Sequence, residues 1–347
     1  MTADDAVTPH RLRFATPATR IAWPAAFGRR FLVTVDVEEE FDWSRPFSRD
    51  ARSVTAVAAL PAMHQRLARG GIAPLYFVDH PVAADPAASA IVAALLSPDG
   101  AEAGAQLHPW VNPPYGEPVV GSASFAGNLS ITREAAKIEA LAEAITRHLG
   151  IAPRAFRAGR YGLGPHTLDL LVQRGFVVDS SMRARHNYRA QGGADFSAVS
   201  TASFRPRPGL VELPLTSIYT GRWRRAGPSL HRLAGMVPRG RGLLARSGLV
   251  SRVPLTPEGV PATEAVAAIA AAAEDDERLL VLSFHSPSLV PGNTPYVRDA
   301  ADLSAFHDWW QRILPALADH GYAPASLSQI VAAAGGAVGP AGLEPAT

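Results

Sequence analysis

Two acidic residues at the end of an apolar stretch are the first in the chain whose spacing suggests chemistry. Residues 31–35 are apolar or β-branched, and Asp36 and Glu38 follow them. If the strand continues, residues two apart point to the same face. Such a pair suits a division of labour in which one carboxylate is a base and the other binds a cation. A solvated acidic loop is the alternative. We expect a solvated or arginine-paired surround, with no chemistry, for the three acids that follow, Glu39, Glu40 and Asp42.

A histidine ends another apolar stretch, in the segment GAQLHPWVNPPYG at residues 104–116. His108 stands between a predicted strand and a proline-rich loop that carries Trp110 and Tyr115. Because proline fixes the backbone φ angle, this loop should be stiff. A stiff loop with aromatic side chains suits stacking against a sugar ring, so Trp110 and Tyr115 are candidate substrate contacts. The alternative is a loop histidine that is packed for shape.

An arginine follows a further predicted strand, in the segment FRAGRYG at residues 156–162. A buried arginine at a strand end needs a carboxylate partner, and Asp36 is the natural candidate for Arg157. The glycines around Arg160 and Tyr161 would let backbone N–H groups approach a ligand oxygen, as an oxyanion site requires. A purely structural arginine–aspartate pair would explain Arg157 equally well.

A second histidine ends the strand predicted at residues 279–283, in the segment LLVLSFHSPSL. Histidine is the usual general acid near neutral pH, so His285 is the candidate acid. A histidine at a strand end is often structural. Two further strand ends offer polar groups, namely His80 after Asp79, and Asp179.

These residues can meet only if the strands that carry them lie side by side in one sheet. Strands are predicted at residues 31–35, 73–78, 102–107, 155–158, 177–179, 211–215 and 279–283. Helices are predicted between them at residues 53–69, 87–97, 132–149, 165–174, 262–274 and 303–320. This alternation indicates an α/β fold with a mainly parallel sheet, closed into a barrel or open. In such folds the functional site lies at the carboxyl ends of the strands, where the polar residues stand.

Composition excludes several classes of protein and site. The chain has 347 residues, of which 47% are hydrophobic and 18% charged, with no cysteine and a net charge of +2. Thiolate metal sites and cysteine nucleophiles are excluded, and nucleic-acid binding is not indicated. No apolar run is long enough for a membrane span, and the start lacks a secretory pattern, which predicts a cytoplasmic protein. We expect an arm at residues 1–28, one domain over 29–332 and a flexible tail at 333–347.

One stretch differs in charge from the rest of the chain. Residues 217–257 contain no acid, and we predict that they form a partly helical insertion. An anionic glycan or a lipid headgroup would suit it, although a plain solvated insertion is the alternative. The arginines in this stretch are Arg222, Arg224, Arg225, Arg232, Arg239, Arg241, Arg246 and Arg252.

Five motifs together resemble a known family. TVDVEEEFDW, QLHPWVNPP, FRAGRYG, VDSSM and LSFHSPSL occur in the order typical of polysaccharide deacetylases with a NodB-homology domain, carbohydrate esterase family 4. The nearest branch by motif is the WalW-like one. The resemblance covers roughly residues 30–330 and implies a distorted (β/α) barrel of about seven parallel strands. It also implies a metal-assisted hydrolase that removes acetyl groups from a saccharide.

The resemblance assigns roles to several of the residues above. Asp36 matches the family's base, Arg157 the arginine that orients it, and His285 the acid. Tyr161 falls where a backbone N–H helps to hold the oxyanion. Asp179 falls in the late aspartate motif, and we place it with Arg160 among the predicted substrate contacts.

The metal half of the pattern departs from the family. Val37 stands where the second aspartate is usual, so Glu38 is the nearest substitute. Of the usual histidine pair, Gln106 holds the first place and Trp110 the second, and His108 lies between them. The predicted ligands are therefore Glu38 and His108, with His80 or Gln106 as further candidates. The implied ion is divalent, zinc first, with cobalt, manganese or magnesium as alternatives.

Three functions are compatible with this sequence. The first is removal of acetyl groups from a bacterial surface saccharide or its precursor. The second is hydrolysis of a small amide or cyclic imide on the same fold. The third is a non-catalytic relative that binds saccharide, which the incomplete histidine pair favours.

Overall fold

The computed structural model describes residues 7–17, 20–42, 44–98 and 100–335. Its strands in chain order are β1 (Arg13–Ala15), β2 (Arg29–Val37), β3 (Leu75–Val78), β4 (Glu102–Leu107), β5 (Ala155–Ala158), β6 (Val178–Asp179), β7 (Asp195–Ala198), β8 (Phe204–Arg207), β9 (Leu210–Glu212), β10 (Ser217–Thr220), β11 (Ser251–Pro254), β12 (Leu279–His285) and β13 (Tyr322–Pro324). Its α-helices are α1 (Leu60–Arg69), α2 (His80–Ala84), α3 (Pro86–Leu95), α4 (Ile131–Leu149), α5 (Thr167–Gln173), α6 (Gly227–Ala234), α7 (Gly240–Arg246), α8 (Ala262–Glu274), α9 (Ala300–Asp319) and α10 (Leu327–Ala333).

The main sheet carries seven parallel strands in the order β12, β2, β3, β4, β5, β6 and β9. Strand β8 adds to β9 in the antiparallel direction, and β13 pairs with β2. The sheet curls so that the segment after β9 reaches β12, where the N–H of Thr216 donates to the carbonyl of Val281 at 3.1 Å. The predicted distorted (β/α) barrel is confirmed.

The parallel strands are near-continuous apolar runs in the sequence because the core buries both of their faces. In β2, residues 31–37 are all buried, because helices cover one face and the barrel interior the other. Helix α9 contributes Phe306, Trp309 and Trp310 to the outer layer. The strand therefore delivers Asp36 from a rigid, fully packed element rather than from a free loop.

All seven predicted strands occur, and the bounds of β4, β5 and α8 are as predicted. The helix predicted at 53–69 begins with a 3₁₀ turn over Thr55–Ala59 before α1 starts. The sequence did not indicate α10 or β13, which are short and lie beyond α9. Of the predicted tail, Ala333 ends α10 and residues 334–335 follow it, and residues 336–347 lie outside the described part.

Two additions flank the barrel. In the predicted amino-terminal arm, β1 pairs with β7 in parallel. In the arginine-rich stretch, β10 and β11 form an antiparallel pair that α6 and α7 connect. Among the residues that the structure describes, no helix is both long and apolar enough to cross a membrane.

Candidate active site

An aspartate and an arginine meet at the carboxyl end of the sheet. Asp36, the second-last residue of β2, accepts a hydrogen bond through Oδ1 from Nη1 of Arg157, which lies on β5. The guanidinium is held by Thr34 Oγ1 at 3.1 Å and by the carbonyl and hydroxyl oxygens of Ser180 at 3.1 and 3.0 Å. Both charged side chains are almost fully buried. The arginine therefore fixes the Asp36 carboxylate and leaves Oδ2 facing the site.

The opposite wall carries a histidine and a glutamate. His285 ends β12 beside Asp36 in the strand register, and its Nε2 lies 3.6 Å from Asp36 Oδ2. Its Nδ1 lies 2.7 Å from Oε2 of Glu258, and its backbone N–H donates to Oε1 of the same residue at 3.1 Å. Because Glu258 engages Nδ1, the other ring nitrogen points towards Asp36.

Glu258 sets the charge of His285. Burial lowers the pKa of His285, but the negative charges of Glu258, Glu38 and Asp36 outweigh burial and raise its pKa well above the ordinary value. Burial raises the pKa of Glu258, yet the attraction of His285 and the hydrogen bond of Ser288 at 2.5 Å bring it below the ordinary value. The pair is therefore an imidazolium held by a carboxylate at neutral pH.

No pattern in the sequence singles out Glu258. It lies in the turn after β11, 27 positions before its histidine, and is the first acid after the acid-free stretch. The turn comes beside β12 because the carbonyl of Leu255 accepts from the N–H of Ser283 at 3.3 Å. A local pattern cannot reveal a partner that only this long-range contact brings into place.

Three of the predicted metal ligands lie together. Oε2 of Glu38 lies 3.6 Å from Nε2 of His108 and accepts a hydrogen bond from Nε2 of Gln106 at 2.8 Å. The Gln106 amide nitrogen is also 3.4 Å from His108 Nε2. All three residues are buried. Asp36, Glu38 and His285 also place one ligand atom each within 4.8 Å of one another, so Glu38 joins the two halves of the site.

The expectation for Glu39 is wrong. Its side chain is fully buried rather than solvated, and its Oε2 lies 2.8 Å from Nδ1 of His108. The carboxyl group of Asp79 is beside it and accepts from the Glu39 N–H at 2.8 Å. Burial raises the pKa of both acids, and their proximity raises that of Asp79 further, so this pair holds a proton at neutral pH. A carboxylate on one ring nitrogen of a histidine is the usual way to orient the other towards a metal.

The donor set fits a divalent cation. The buried acids Asp36, Glu38, Glu39, Asp79 and Glu258 outnumber the bases that face them, Arg157, His108 and His285. Burial raises the pKa of Glu38 to about 7, because the nearby positive charges do not fully offset the lost hydration of its carboxylate. Within the described residues, Oε1 of Gln106 is buried without a hydrogen-bond partner. A half-turn of that amide would present this oxygen to a cation between Glu38 and His108.

His80 lies apart from these ligands. It begins α2, is half-buried, and belongs to neither of the two clusters of potential ligands in the described residues. Burial, together with the positive charges of Arg52, Lys137 and His148, lowers its pKa to about 4. Its place as a ligand stays a prediction, but this cationic surround does not favour it.

The two predicted aromatic contacts are not an open platform. Trp110 is 5% exposed and stacks on His108 with ring centroids 4.5 Å apart, beneath Phe41 and Phe47. The hydroxyl of Tyr115 donates to a backbone carbonyl at 2.9 Å, and its ring faces the cations of Arg49, Arg52 and Lys137. Trp110 therefore supports His108 from behind, and Tyr115 supports the loop.

The segment after β5 forms a tight turn beside the site. Arg160 and Tyr161 have φ angles of 54° and 61°, a left-handed conformation that non-glycine residues adopt at a cost. The guanidinium of Arg160 donates to Ser124 and, at 2.9 Å, to Gln191. Asp179 is fully buried under Arg157, bonded to Ser181 and beside Glu212. That burial suits support of the arginine better than contact with a substrate.

Gly159 is required because His108 lies against it. A Cβ at this position would collide with the imidazole of His108 and lie 2.7 Å from the Leu107 carbonyl oxygen. We expect Gly159→Ala to lower the free energy of unfolding by about 1–3 kcal/mol and to displace His108. Gly242→Ala is the matched control, since no atom lies within 4 Å of its added Cβ. Chemical denaturation checks both, and equal stability of the two variants would contradict the predicted contact.

The fold, but not the sequence, has known counterparts. No protein-family model and no curated protein matches the sequence. A Mycobacterium smegmatis protein, provisionally described as a polysaccharide deacetylase, superposes with a TM-score of 0.53 at 19% identity, over 92% of this chain and 94% of that one. This likeness shows that the chain has the polysaccharide deacetylase fold.

Two further solved structures match less closely. One is a peptidoglycan N-acetylglucosamine deacetylase, with a TM-score of 0.43 at 12% identity over 92% of each chain. The other is a family 4 acetyl xylan esterase from Clostridium thermocellum in complex with cobalt, with a TM-score of 0.41 at 12% identity over 88% of this chain and 91% of that one.

Proposed function

We propose that the protein is a metal-assisted hydrolase that removes acetyl groups from a bacterial surface saccharide or its precursor. The observation that carries this proposal is the pairing across the site of a carboxylate fixed by an arginine with an imidazolium fixed by a carboxylate. Hydrolysis of an amide or ester needs both a base for water and an acid for the leaving group. The assignment to the WalW-like branch rests on the sequence motifs alone.

Asp36 acts as the base. Its Oδ1 is occupied by Arg157 and its Oδ2 is open towards the site. Oδ2 takes a proton from water as the water oxygen attacks the acetyl carbonyl carbon. A C–O bond forms, and the carbonyl oxygen becomes an oxyanion. The backbone N–H of Tyr161, in the turn after β5, is the candidate donor to that oxyanion.

His285 acts as the acid. The bond between the acetyl carbon and the sugar nitrogen or oxygen then breaks, and Nε2 of His285 donates its proton to the leaving atom. The products are acetate and a free sugar amine or hydroxyl. Glu258 is a positioning residue, because it orients the ring through Nδ1 and keeps it protonated before the transfer.

Glu38 and His108 would hold the cation, with the amide oxygen of Gln106 as a third ligand. A divalent cation at that position supplies polarisation of the carbonyl and a lowered pKa for bound water. Glu39 and Trp110 keep His108 in place from the other side. Zinc, cobalt, manganese and magnesium are all candidates, and the scarcity of nitrogen ligands favours a harder ion than zinc.

A groove beside the site is suited to a polar substrate. It is lined by the loop after β2, through Glu40, Phe41 and Asp42, and by the loop after β12, through Asn293 and Thr294. These loops extend from the strands that carry Asp36 and His285. The ring of Tyr296, 44% exposed, follows the second loop and offers an aromatic surface where Trp110 cannot.

Substrate size separates the proposed function from its alternative. We expect acetate release from acetylated amino-sugar oligomers or acetylated xylo-oligomers to exceed that from N-acetylglucosamine monomer, acetamide-type amides and cyclic imides. Acetate is measured by proton NMR for each substrate at equal concentration of acyl groups. Faster turnover of an imide or a small amide would replace the saccharide assignment, and no turnover of any of them would favour the non-catalytic relative.

Metal binding should depend on Glu38 and His108 and not on His80. After chelation and dialysis against cobalt or zinc, we expect about one equivalent in the wild type and in His80→Ala, and much less in Glu38→Ala and His108→Ala. Because the pKa of Glu38 is about 7, protons compete for the site, and affinity should fall about tenfold for each pH unit below that value. Elemental analysis measures occupancy independently of activity. Full occupancy in both ligand variants would show that the cation binds elsewhere.

A further inference from the structure

The connection between α6 and α7 presents several large apolar side chains to solvent. Leu233, Met236 and Val237 lie within five residues at this connection and are 56%, 78% and 59% exposed. Leu243, one turn into α7, is 61% exposed, and Trp223, after β10, is 54% exposed. Of the ten large hydrophobic side chains that are exposed in the described residues, these five belong to this one segment. They are concentrated here rather than scattered over the surface.

The same segment is strongly basic. It has no acid between residues 217 and 257, and two of its arginines are already used, because Arg224 pairs with Glu274 and Asp275 and Arg252 donates to a backbone carbonyl. A third, Arg241, donates to the His231 carbonyl. The other five arginines of this segment, Arg222, Arg225, Arg232, Arg239 and Arg246, are exposed and have no side-chain partner among the described residues.

We infer that this helical hairpin, residues 221–249, docks the protein on an anionic lipid bilayer. Exposed apolar residues beside unpaired arginines and a tryptophan are the composition of an interfacial membrane element. Arginines alone would suit a charged glycan equally well, but a hydrated polysaccharide offers nothing for Met236 and Val237 to bury against. The apolar residues therefore select the lipid surface as the occupant.

The hairpin faces away from the catalytic end of the sheet. From Glu258 at the site, the chain runs back past Ser283 to β11, which pairs with β10. Beyond β10, Arg224 reaches Asp275 at the end of α8, just before β12 begins. Docking through residues 233–243 would thus leave the groove beside Asp36 open. The inference is independent of the proposed hydrolysis.

Vesicle binding by the full chain tests this inference. The wild type should sediment with vesicles of phosphatidylcholine and phosphatidylglycerol in equal parts, but not with phosphatidylcholine alone. Binding should weaken as salt rises from about 0.05 M to about 0.5 M. Arg232→Gln with Arg239→Gln should reduce partitioning about 25-fold, and Met236→Ser with Val237→Ser at least about tenfold.

The controls keep charge and fold constant. Arg69→Gln with Arg147→Gln removes the same charge from exposed sites on α1 and α4 and should bind as the wild type does. Circular dichroism confirms that each variant is folded. The inference is overturned if the wild type ignores anionic vesicles, or if the control loses as much binding as the hairpin variants. It is also overturned if the serine variant binds normally while polygalacturonate displaces the wild type, which would assign the arginines to a glycan.

Discussion

Asp36→Asn should lower kcat by about 10³–10⁴-fold with little change in the binding of substrate. Asparagine keeps the shape of the side chain and can still accept from Arg157, but its amide cannot take a proton from water. Because β2 is packed on both faces, the variant should fold, and a thermal melt verifies this. Initial rates of acetate release provide the measurement.

Asp50→Asn is the matched control for this variant. Asp50 is an exposed acid farther along the same loop and is not among the residues that line the groove, and its loss should leave kcat within about twofold. If folded Asp36→Asn kept wild-type turnover, Asp36 would not be the base. Equal losses in both variants would point to the charge of the loop instead.

Glu258→Gln should lower kcat by about 10²-fold at neutral pH and change the pH profile. In the wild type the carboxylate raises the pKa of His285, so the acid stays protonated into the alkaline range. Without that charge, the pKa of His285 should fall from its wild-type value, because only Glu38 and Asp36 then oppose the effect of burial. The alkaline limb of the kcat profile should therefore move to lower pH.

A merely structural role for Glu258 would not produce this shift. It would lower activity by the same factor at every pH, and that outcome would contradict the assignment. Glu264→Gln, an exposed acid on α8, is the control and should reproduce the wild-type limb. NMR titration of the His285 ring should show the lowered pKa in Glu258→Gln and the wild-type pKa in Glu264→Gln, independently of turnover.

The pairing of Asp36 with Arg157 could be predicted because each residue lies at the end of a strand that the sequence shows clearly. Parallel strands place their carboxyl ends along one edge, and a buried arginine demands an acid. The predicted neighbours Glu38, Gln106 and His108 follow by the same logic. Gln106 lies within β4, and Glu38 and His108 are only one residue past β2 and β4, where the alternation of the strands still holds.

Glu39 and Glu258 could not be placed in that way. Glu39 lies just past the end of β2, where alternation no longer decides which way a side chain points, and Asp79 and His108 draw it inwards. The position of Glu258 depends on the contact between the segment after β11 and strand β12. The prediction of an exposed platform at Trp110 is wrong because Phe41 and Phe47 pack over its ring, and strand periodicity does not predict the path of the loop that carries them.

The most direct test is whether the purified protein releases acetate and a free sugar group in equal amounts from an acetylated oligosaccharide. We expect one acetate for each amine or hydroxyl formed in the cobalt- or zinc-loaded wild type. The reaction should stop in chelator, recover when the ion is restored, and be lost in Asp36→Asn. Loaded, folded wild-type protein that binds the oligosaccharide and releases no acetate, or turnover at the same rate in Asp36→Asn, would contradict the proposed function.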